Sequence, residues 1–150
     1  MSLEKNKAII RSLIEAFNKQ NLATLDELIA PDYVDLTSQL RGREGFKRDE
    51  INFFKGFPDF HMAIEDIIAE NDKVWVRLKV TGTHTGELEF GKMRLTPTGK
   101  KITAAAVSIW RIVDDKVAER ESVYDFLDFL TQLEVVEYTE KAKHSRYYSF

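Results

Sequence analysis

The period of the hydrophobic residues changes at Pro58, and this change divides the chain into a helical part and a strand part. Before Pro58, apolar residues recur at spacings of three and four, which places them on one face of a helix. After Pro58, apolar and polar residues alternate, which places the apolar ones on one face of a strand. At 150 residues the chain has the length of one domain, long enough to bury a core and enclose a pocket.

Three helices are predicted in the first part. The second of them begins after Asn21, a favourable N-cap residue, and ends near Pro31. A short extended segment follows over residues 33–36, and a third helix spans residues 42–56. The apolar stripe of the first helix consists of Ile9, Ile10, Leu13, Ile14 and Phe17.

Four long strands are predicted in the second part, over residues 60–70, 74–84, 102–113 and 116–124. The pairs Asn71-Asp72 and Asp114-Asp115 supply the turns of two hairpins. His84 ends the second strand on the face that carries its valines, so it is expected to face the core.

Asp125 lies at the junction between the last strand and a predicted helix over residues 126–133, and it is the strongest candidate for chemistry. Alternate residues of a strand share a face, so Asp125 lies on the same face as Glu119 and Glu121. If the preceding turn has two residues, small side chains of the neighbouring strand lie opposite these acids, and a pocket is predicted there. The predicted pairs are Trp110 with Glu119, Ser108 with Glu121, Ala106 with Val123 and Ala104 with Asp125.

Each of these residues also has a simpler structural interpretation. Asp125 is a favourable N-cap for the helix that follows it, whereas a general base at this position needs an apolar setting that raises its pKa. His84 is either a hydrogen-bonded core histidine or a catalytic one. Glu119 and Glu121 are either solvated or functional. Trp75, on the polar face of its strand, predicts a homodimer contact, and partial exposure is the equally simple alternative.

The composition excludes several classes of site and partner. The chain has no cysteine, so disulfides, thiolate catalysis and thiolate zinc sites are excluded. His61, His84 and His144 are far apart in the sequence, and no metal site is predicted. The net charge of -3 predicts no binding to nucleic acid.

No segment is apolar enough to span a membrane and the start of the chain does not resemble a signal peptide, so the expected location is the cytoplasm.

A series of short motifs runs along the chain. They are Phe17-Asn18, Pro31-Asp32-Tyr33, Phe57-Pro58-Asp59, Gly82-Thr83-His84-Thr85-Gly86-Glu87, Pro97-Thr98-Gly99-Lys100, the run from Glu119 to Asp125, and Gln132-Leu133. The two threonine-containing segments in the middle are fairly specific when they occur in this order. Together the motifs resemble those of the SnoaL-like polyketide cyclase family, over about residues 5–136.

This resemblance implies an α+β fold of the nuclear transport factor two-like superfamily, in which N-terminal helices close the mouth of a strongly curved, mostly antiparallel sheet. It also implies that Asp125 is the acid/base residue and that His84 lies in the pocket. The implied reaction is an intramolecular aldol condensation that needs no cofactor, and the implied substrate is a small apolar polyketide ester with carbonyl groups. The predicted pocket residues are Tyr33, Leu36, Phe54, Phe57, Ala104, Ala106, Ser108, Trp110, Glu119 and Glu121.

Three positions depart from the family pattern. Glu121 stands where many relatives carry Trp, Leu36 where they carry His, and Glu134 where they carry Gly. A second carboxylate would make the pocket more acidic, so polycyclic aromatic substrates are not the expected ones.

Two other functions stay open: non-catalytic binding of a small apolar ligand, and a related proton transfer such as double-bond isomerisation or dehydration. Residues 137–150 lie beyond the resemblance and form a predicted tail after a domain over residues 1–136.

Overall fold

A computed structural model describes residues 2–142 of the chain and contains four helices and seven strands in this range. Most of the basic and aromatic residues of the predicted tail, from Lys143 to Phe150, lie outside the described residues. The helices are α1 (Leu3–Asn18), α2 (Leu22–Leu28), α3 (Gly42–Gly56) and α4 (Phe126–Gln132). The strands are β1 (Ile29–Asp35), β2 (His61–Glu70), β3 (Lys73–Thr83), β4 (Leu88–Phe90), β5 (Met93–Leu95), β6 (Lys101–Val113) and β7 (Lys116–Tyr124).

Five strands form one strongly curved sheet in the order β1-β7-β6-β3-β2. Strand β1 runs parallel to β7, and the other neighbours are antiparallel. Strands β4 and β5 form a separate small hairpin. This architecture confirms the predicted α+β fold.

The core lies between the concave face of the sheet and the N-terminal helices. Helix α1 packs on β2, and α3 packs on β1. The alternating burial along β3 shows which side faces the core, because Val74, Val76, Leu78 and Val80 are buried and the residues between them are exposed. Trp75 therefore points outward and is 46% exposed. The homodimer contact predicted from it stays a prediction.

The predicted elements agree closely with the observed ones. Helix α3 and strand β7 have the predicted bounds, and the Asn21 side chain accepts a hydrogen bond from the Thr24 amide, as an N-cap does. Two predictions were incomplete. Pro31 does not end α2, which stops at Leu28, but lies inside β1. The segment between the predicted strands over residues 74–84 and 102–113 contains the β4–β5 hairpin, which was not predicted. No helix among residues 2–142 is long and apolar enough to span a membrane.

A β-bulge at Ala118 changes which side chains of β7 face the core. Asp114 and Asp115 form the predicted two-residue turn, both with positive φ, and Ile112 pairs with Val117. The next pair is Arg111 with Glu119, so Ala118 is an extra residue on β7. Since side chains alternate along a strand, one extra residue moves every later side chain to the other face.

The consequence is a reversal of the predicted faces of β7. The side chains that face the concave side are those of Arg120, Ser122 and Tyr124. The acidic series predicted to face a pocket lies on the opposite side of the strand.

Candidate functional site

A cavity of about 610 Å³ lies between the concave face of the sheet and helices α1, α3 and α4. Its wall is largely apolar and contains nine aromatic residues, which suits a flat apolar ligand. The aromatic lining residues are Phe17, Phe46, Phe53, Phe60, Phe90, Trp110, Tyr124, Phe126 and Phe129.

Arg120 is held by three carboxylates at one end of this cavity. Its Nε donates to Asp35 Oδ2 at 2.7 Å, its Nη1 to Glu50 Oε1 at 2.8 Å, and its Nη2 to Asp49 Oδ2 at 2.7 Å. The four residues come from β7, the end of β1 and α3, and all of them line the cavity. The guanidinium also lies 5.7 Å from the ring centre of Trp110, close enough for a cation–π contact.

Asp35 is the structural anchor of this cluster. Its Oδ1 accepts hydrogen bonds from the amides of Thr37 and Ser38, and its Oδ2 accepts them from Arg120 and from the Tyr33 hydroxyl. Burial alone would raise the pKa of Asp35, but the charge of Arg120 and the amide hydrogen bonds outweigh it and lower that pKa. Asp35 therefore stays ionised, with both oxygens engaged.

Glu50 differs from Asp35 although both bind Arg120. Its side chain is 1% exposed, and a single hydrogen bond from Arg120 to one of its oxygens is found among the described residues. Burial, opposed by the charge of Arg120 and reinforced by the charge of Asp49, raises the pKa of Glu50 to about 7. Both its protonated and its ionised forms are therefore populated near neutral pH, as proton transfer requires.

Hydroxyl groups supply most of the other polar atoms of the cavity wall. Ser108 Oγ on β6 lies 3.3 Å from Ser122 Oγ on β7, so one hydroxyl donates to the other. The Ser122 amide donates to Thr37 Oγ1 at 2.8 Å, which ties β7 to the loop that Asp35 holds. The Tyr124 hydroxyl lies on the same face of β7, two positions further along.

Four of the predicted pocket residues line the cavity. They are Ala104, Ala106, Ser108 and Trp110, the inward-facing residues of β6. The small side chains of Ala104, Ala106 and Ser108 leave the space above the sheet open, as predicted. The residue opposite Ala106 is Tyr124, however, and the one opposite Trp110 is Arg120.

The predicted cavity positions of Asp125, Glu119 and Glu121 are wrong, because the bulge turns their strand face outward. Asp125 is exposed, and its Oδ1 accepts a hydrogen bond from the Asp128 amide at 2.9 Å, so it caps α4. Glu119 pairs with Arg111 on the outer face at 3.0 Å. Glu121 is exposed.

His84 is buried but does not line the cavity. Its Nδ1 accepts from the Thr98 amide and lies 3.0 Å from Thr98 Oγ1. Its backbone pairs with Lys100 and Gly99, so it joins the two threonine-containing motifs. Burial lowers the pKa of His84, so the ring is neutral near pH 7. The predicted pocket position of His84 is therefore wrong, and the interpretation as a core histidine agrees with the structure.

The other predicted pocket residues also lie outside the cavity wall. Phe57 is fully buried and packs against the His84 ring, with 5.3 Å between ring centres. Phe54 packs against Phe17 from behind the wall. Tyr33 is fully buried next to Asp35, and Leu36 is 44% exposed. Their aromatic or apolar character suits a core as well as a pocket, and the sequence does not distinguish the two.

The charged cluster was missed, although one sign of it is visible in the sequence. On α3, Glu50 follows Phe46 by four residues and precedes Phe53 by three, so it lies on the apolar face of the helix. A charged residue on such a face is buried only if it is paired, which predicts a cationic partner. The sequence does not name that partner as Arg120, because only the bulge turns Arg120 inward.

Comparison with known proteins agrees with the fold. Residues 7–133 match the family described as SnoaL-like polyketide cyclase. The chain belongs to the SnoaL-like polyketide cyclase family. Within the described residues, the helices and the strongly curved, mostly antiparallel sheet form the α+β fold that the resemblance implied.

Several relatives have names that state an activity. The chain is 26% identical to aklanonic acid methyl ester cyclase DnrD of Streptomyces peucetius in an alignment 132 residues long that covers 83% of this chain and 88% of that protein. It is 27% identical to nogalonic acid methyl ester cyclase of Streptomyces nogalater in an alignment 126 residues long that covers 81% of this chain and 91% of that protein. Among solved structures, IdmH of Streptomyces antibioticus is similar, with a TM-score of 0.72, 31% identity, and coverage of 86% of this chain and 98% of that one.

Proposed function

We propose that this protein is an enzyme without a cofactor that closes a ring in a polyketide ester by an intramolecular aldol reaction, with Glu50 as its general base. The observation that carries the proposal is a buried glutamate whose pKa is raised to about 7, at the wall of an aromatic cavity. Family membership and the methyl ester cyclases among the relatives support the reaction class.

The charges of the cluster support Glu50 as the base rather than its neighbours. Asp35 has both oxygens engaged and a lowered pKa, so it is a weak base. Arg120 holds the Glu50 carboxylate in place and offsets part of the cost of its charge in the apolar cavity. Asp125 and His84, the residues implied by the family resemblance, lie outside the cavity wall and are not part of the proposed mechanism.

The proposed reaction begins when the Glu50 carboxylate removes a proton from a carbon between two carbonyl groups. The products of this step are a neutral Glu50 carboxylic acid and an enolate, so the negative charge moves to the substrate and no net charge is created. The enolate carbon then forms a bond to a second carbonyl carbon of the same molecule. The alkoxide that results takes the proton back from Glu50, and the product is an isomer of the substrate.

Deuterium incorporation tests the first step separately from ring closure. Aklanonic acid methyl ester and nogalonic acid methyl ester, the compounds in the names of the relatives, are incubated with the protein in deuterated water and analysed by mass spectrometry. Ring closure changes the retention time without changing the mass, whereas enolate formation adds deuterium. We expect Glu50→Gln to lose both, and the matched control Glu119→Gln to keep both, because Glu119 pairs with Arg111 on the outer face.

Two results would contradict the proposal. Unchanged deuterium incorporation by Glu50→Gln would exclude Glu50 as the base. Binding of the ester by the native protein, detected as a raised melting temperature, without deuterium incorporation or ring closure would favour the alternative of a non-catalytic binding protein.

A further inference from the structure

Tyr124 presents a phenol hydroxyl to the cavity from the end of β7. Its side chain lies on the same strand face as Arg120 and Ser122, and it lines the cavity. Its ring contacts the stacked pair Phe90 and Phe126, with 6.5 Å between ring centres to Phe90 and 6.2 Å to Phe126, which is nearly perpendicular. These contacts fix the direction of the side chain, so the hydroxyl is pre-positioned.

The Tyr124 hydroxyl has no hydrogen-bond partner among residues 2–142, unlike the other hydroxyls near the cluster. The Tyr33 hydroxyl lies 3.4 Å from Asp35 Oδ2 and donates to it. Ser108 and Ser122 bond to each other. Tyr124 is half-buried in a largely apolar wall, where an unused donor is costly unless a ligand or water accepts its proton.

Burial and the nearby carboxylates keep the Tyr124 hydroxyl in its donor form. Burial, followed by the charge of Asp49, raises the pKa of Tyr124 to about 12. At neutral pH the phenol therefore keeps its proton and offers a hydrogen bond to an acceptor in the cavity. The Asp35 carboxylate cannot serve this purpose, because it stays ionised and an ionised carboxylate only accepts hydrogen bonds.

We propose that Tyr124 contacts the substrate and donates a hydrogen bond to the carbonyl oxygen that becomes the enolate oxygen. This role rests on the proposed function and adds to it the residue that holds the reacting carbonyl group. When Glu50 takes the proton, the carbonyl oxygen gains the negative charge that the carboxylate loses. A donor already aimed at this oxygen stabilises the charge without reorganisation.

Ligand binding tests this role independently of catalysis. The probes are methyl naphthyl ketone, which carries a carbonyl acceptor, and isopropenylnaphthalene, which has the same shape without it. We expect the wild-type protein to bind the ketone more tightly than isopropenylnaphthalene. In Tyr124→Phe, the ratio of the dissociation constant of isopropenylnaphthalene to that of the ketone should fall by about fivefold to tenfold, which corresponds to the loss of one hydrogen bond. The ring contacts stay in this variant, so its melting temperature should change little.

A matched control removes a hydroxyl elsewhere. Tyr138 is 47% exposed and does not line the cavity, so Tyr138→Phe should keep the wild-type ratio. The ketone carbonyl band in the infrared spectrum gives a second measure, and it should move to higher frequency in Tyr124→Phe than in the wild-type complex. An unchanged ratio in Tyr124→Phe, or a wild-type protein without preference for the ketone, would overturn the role of Tyr124.

The deuterium experiment distinguishes this failure from that of the proposed function. If the wild-type protein prefers the ketone through Tyr124 but incorporates no deuterium into the esters, the proposed reaction fails and the carbonyl site stands. If deuterium is incorporated equally by the wild-type protein and Tyr124→Phe, the role of Tyr124 fails and the reaction stands. If both roles are right, Tyr124→Phe should slow incorporation by about 100-fold, as removal of one oxyanion donor does in other enzymes.

Discussion

Substitution of Glu50 by Gln should change how the stability of the protein depends on pH. Gln keeps the shape of the side chain and an acceptor for Arg120, but it does not titrate. The pKa of Glu50 is 4.5 before burial and about 7 in the folded protein. Because each pKa unit corresponds to 1.36 kcal/mol, a difference of about 2.5 units corresponds to about 3 kcal/mol of unfolding free energy.

The sign follows from which state holds the proton. Between pH 4.5 and about 7, the folded protein keeps a proton on Glu50 that the unfolded chain has released. The unfolding free energy of the wild-type protein therefore falls as the pH rises through this window, relative to that of Glu50→Gln. Asp35 does not affect the unfolding free energy in this pH window. Its pKa is lowered from 3.8, so its contribution to the unfolding free energy changes only at lower pH.

Urea unfolding measured by tryptophan fluorescence between about pH 4.5 and 8 gives both free energies. The difference between the variant and the wild-type protein should change by about 3 kcal/mol across this range, in favour of the variant at the higher pH. Parallel curves would refute the raised pKa of Glu50, and with it the physical basis for its role as a base.

Three further substitutions test other parts of the structure. Arg120→Met leaves the buried carboxylates without their cation and should lower the unfolding free energy by about 3–5 kcal/mol in urea; a loss under about 1 kcal/mol would mean that the ion pairs are not formed. Asp125→Ala should cost about 1 kcal/mol through the lost cap of α4 and leave deuterium incorporation unchanged, whereas Asp125→Asn should keep the cap. A loss of incorporation in Asp125→Asn at unchanged stability would restore the catalytic role of Asp125. Gly86→Ala places a Cβ atom 1.8 Å from the Lys55 carbonyl oxygen and should destabilise the protein by about 1–3 kcal/mol, and an unchanged melting temperature would contradict this packing.

Most of the fold could be predicted from the sequence, because local signals agree with the packing. The bounds of α3 follow from its apolar face and from Pro58 beyond its end. The hairpin turn at Asp114-Asp115 was predicted with the correct length, and both residues adopt the left-handed conformation that a tight hairpin requires. The parallel pairing of β1 with β7 was not predicted, since it joins segments far apart in the chain.

The candidate site could be predicted only in part. The inward residues of β6, such as Ala104 and Ser108, were placed correctly because β6 pairs regularly with β3 over residues 101–111. The charged cluster was not, because its position depends on the bulge at Ala118, and no residue type marks that bulge in the sequence. A single extra residue exchanged Glu119 and Glu121 for Arg120 and Ser122 at the cavity wall.

The pH dependence of deuterium incorporation into the ester substrates tests most directly whether Glu50 is the base. With Glu50 acting in its ionised form, the rate should rise with pH and level off above about pH 7, and Glu50→Gln should show no such rise. A rate that levels off above about pH 4, as for an ordinary exposed carboxylate, and that persists in Glu50→Gln would contradict this assignment.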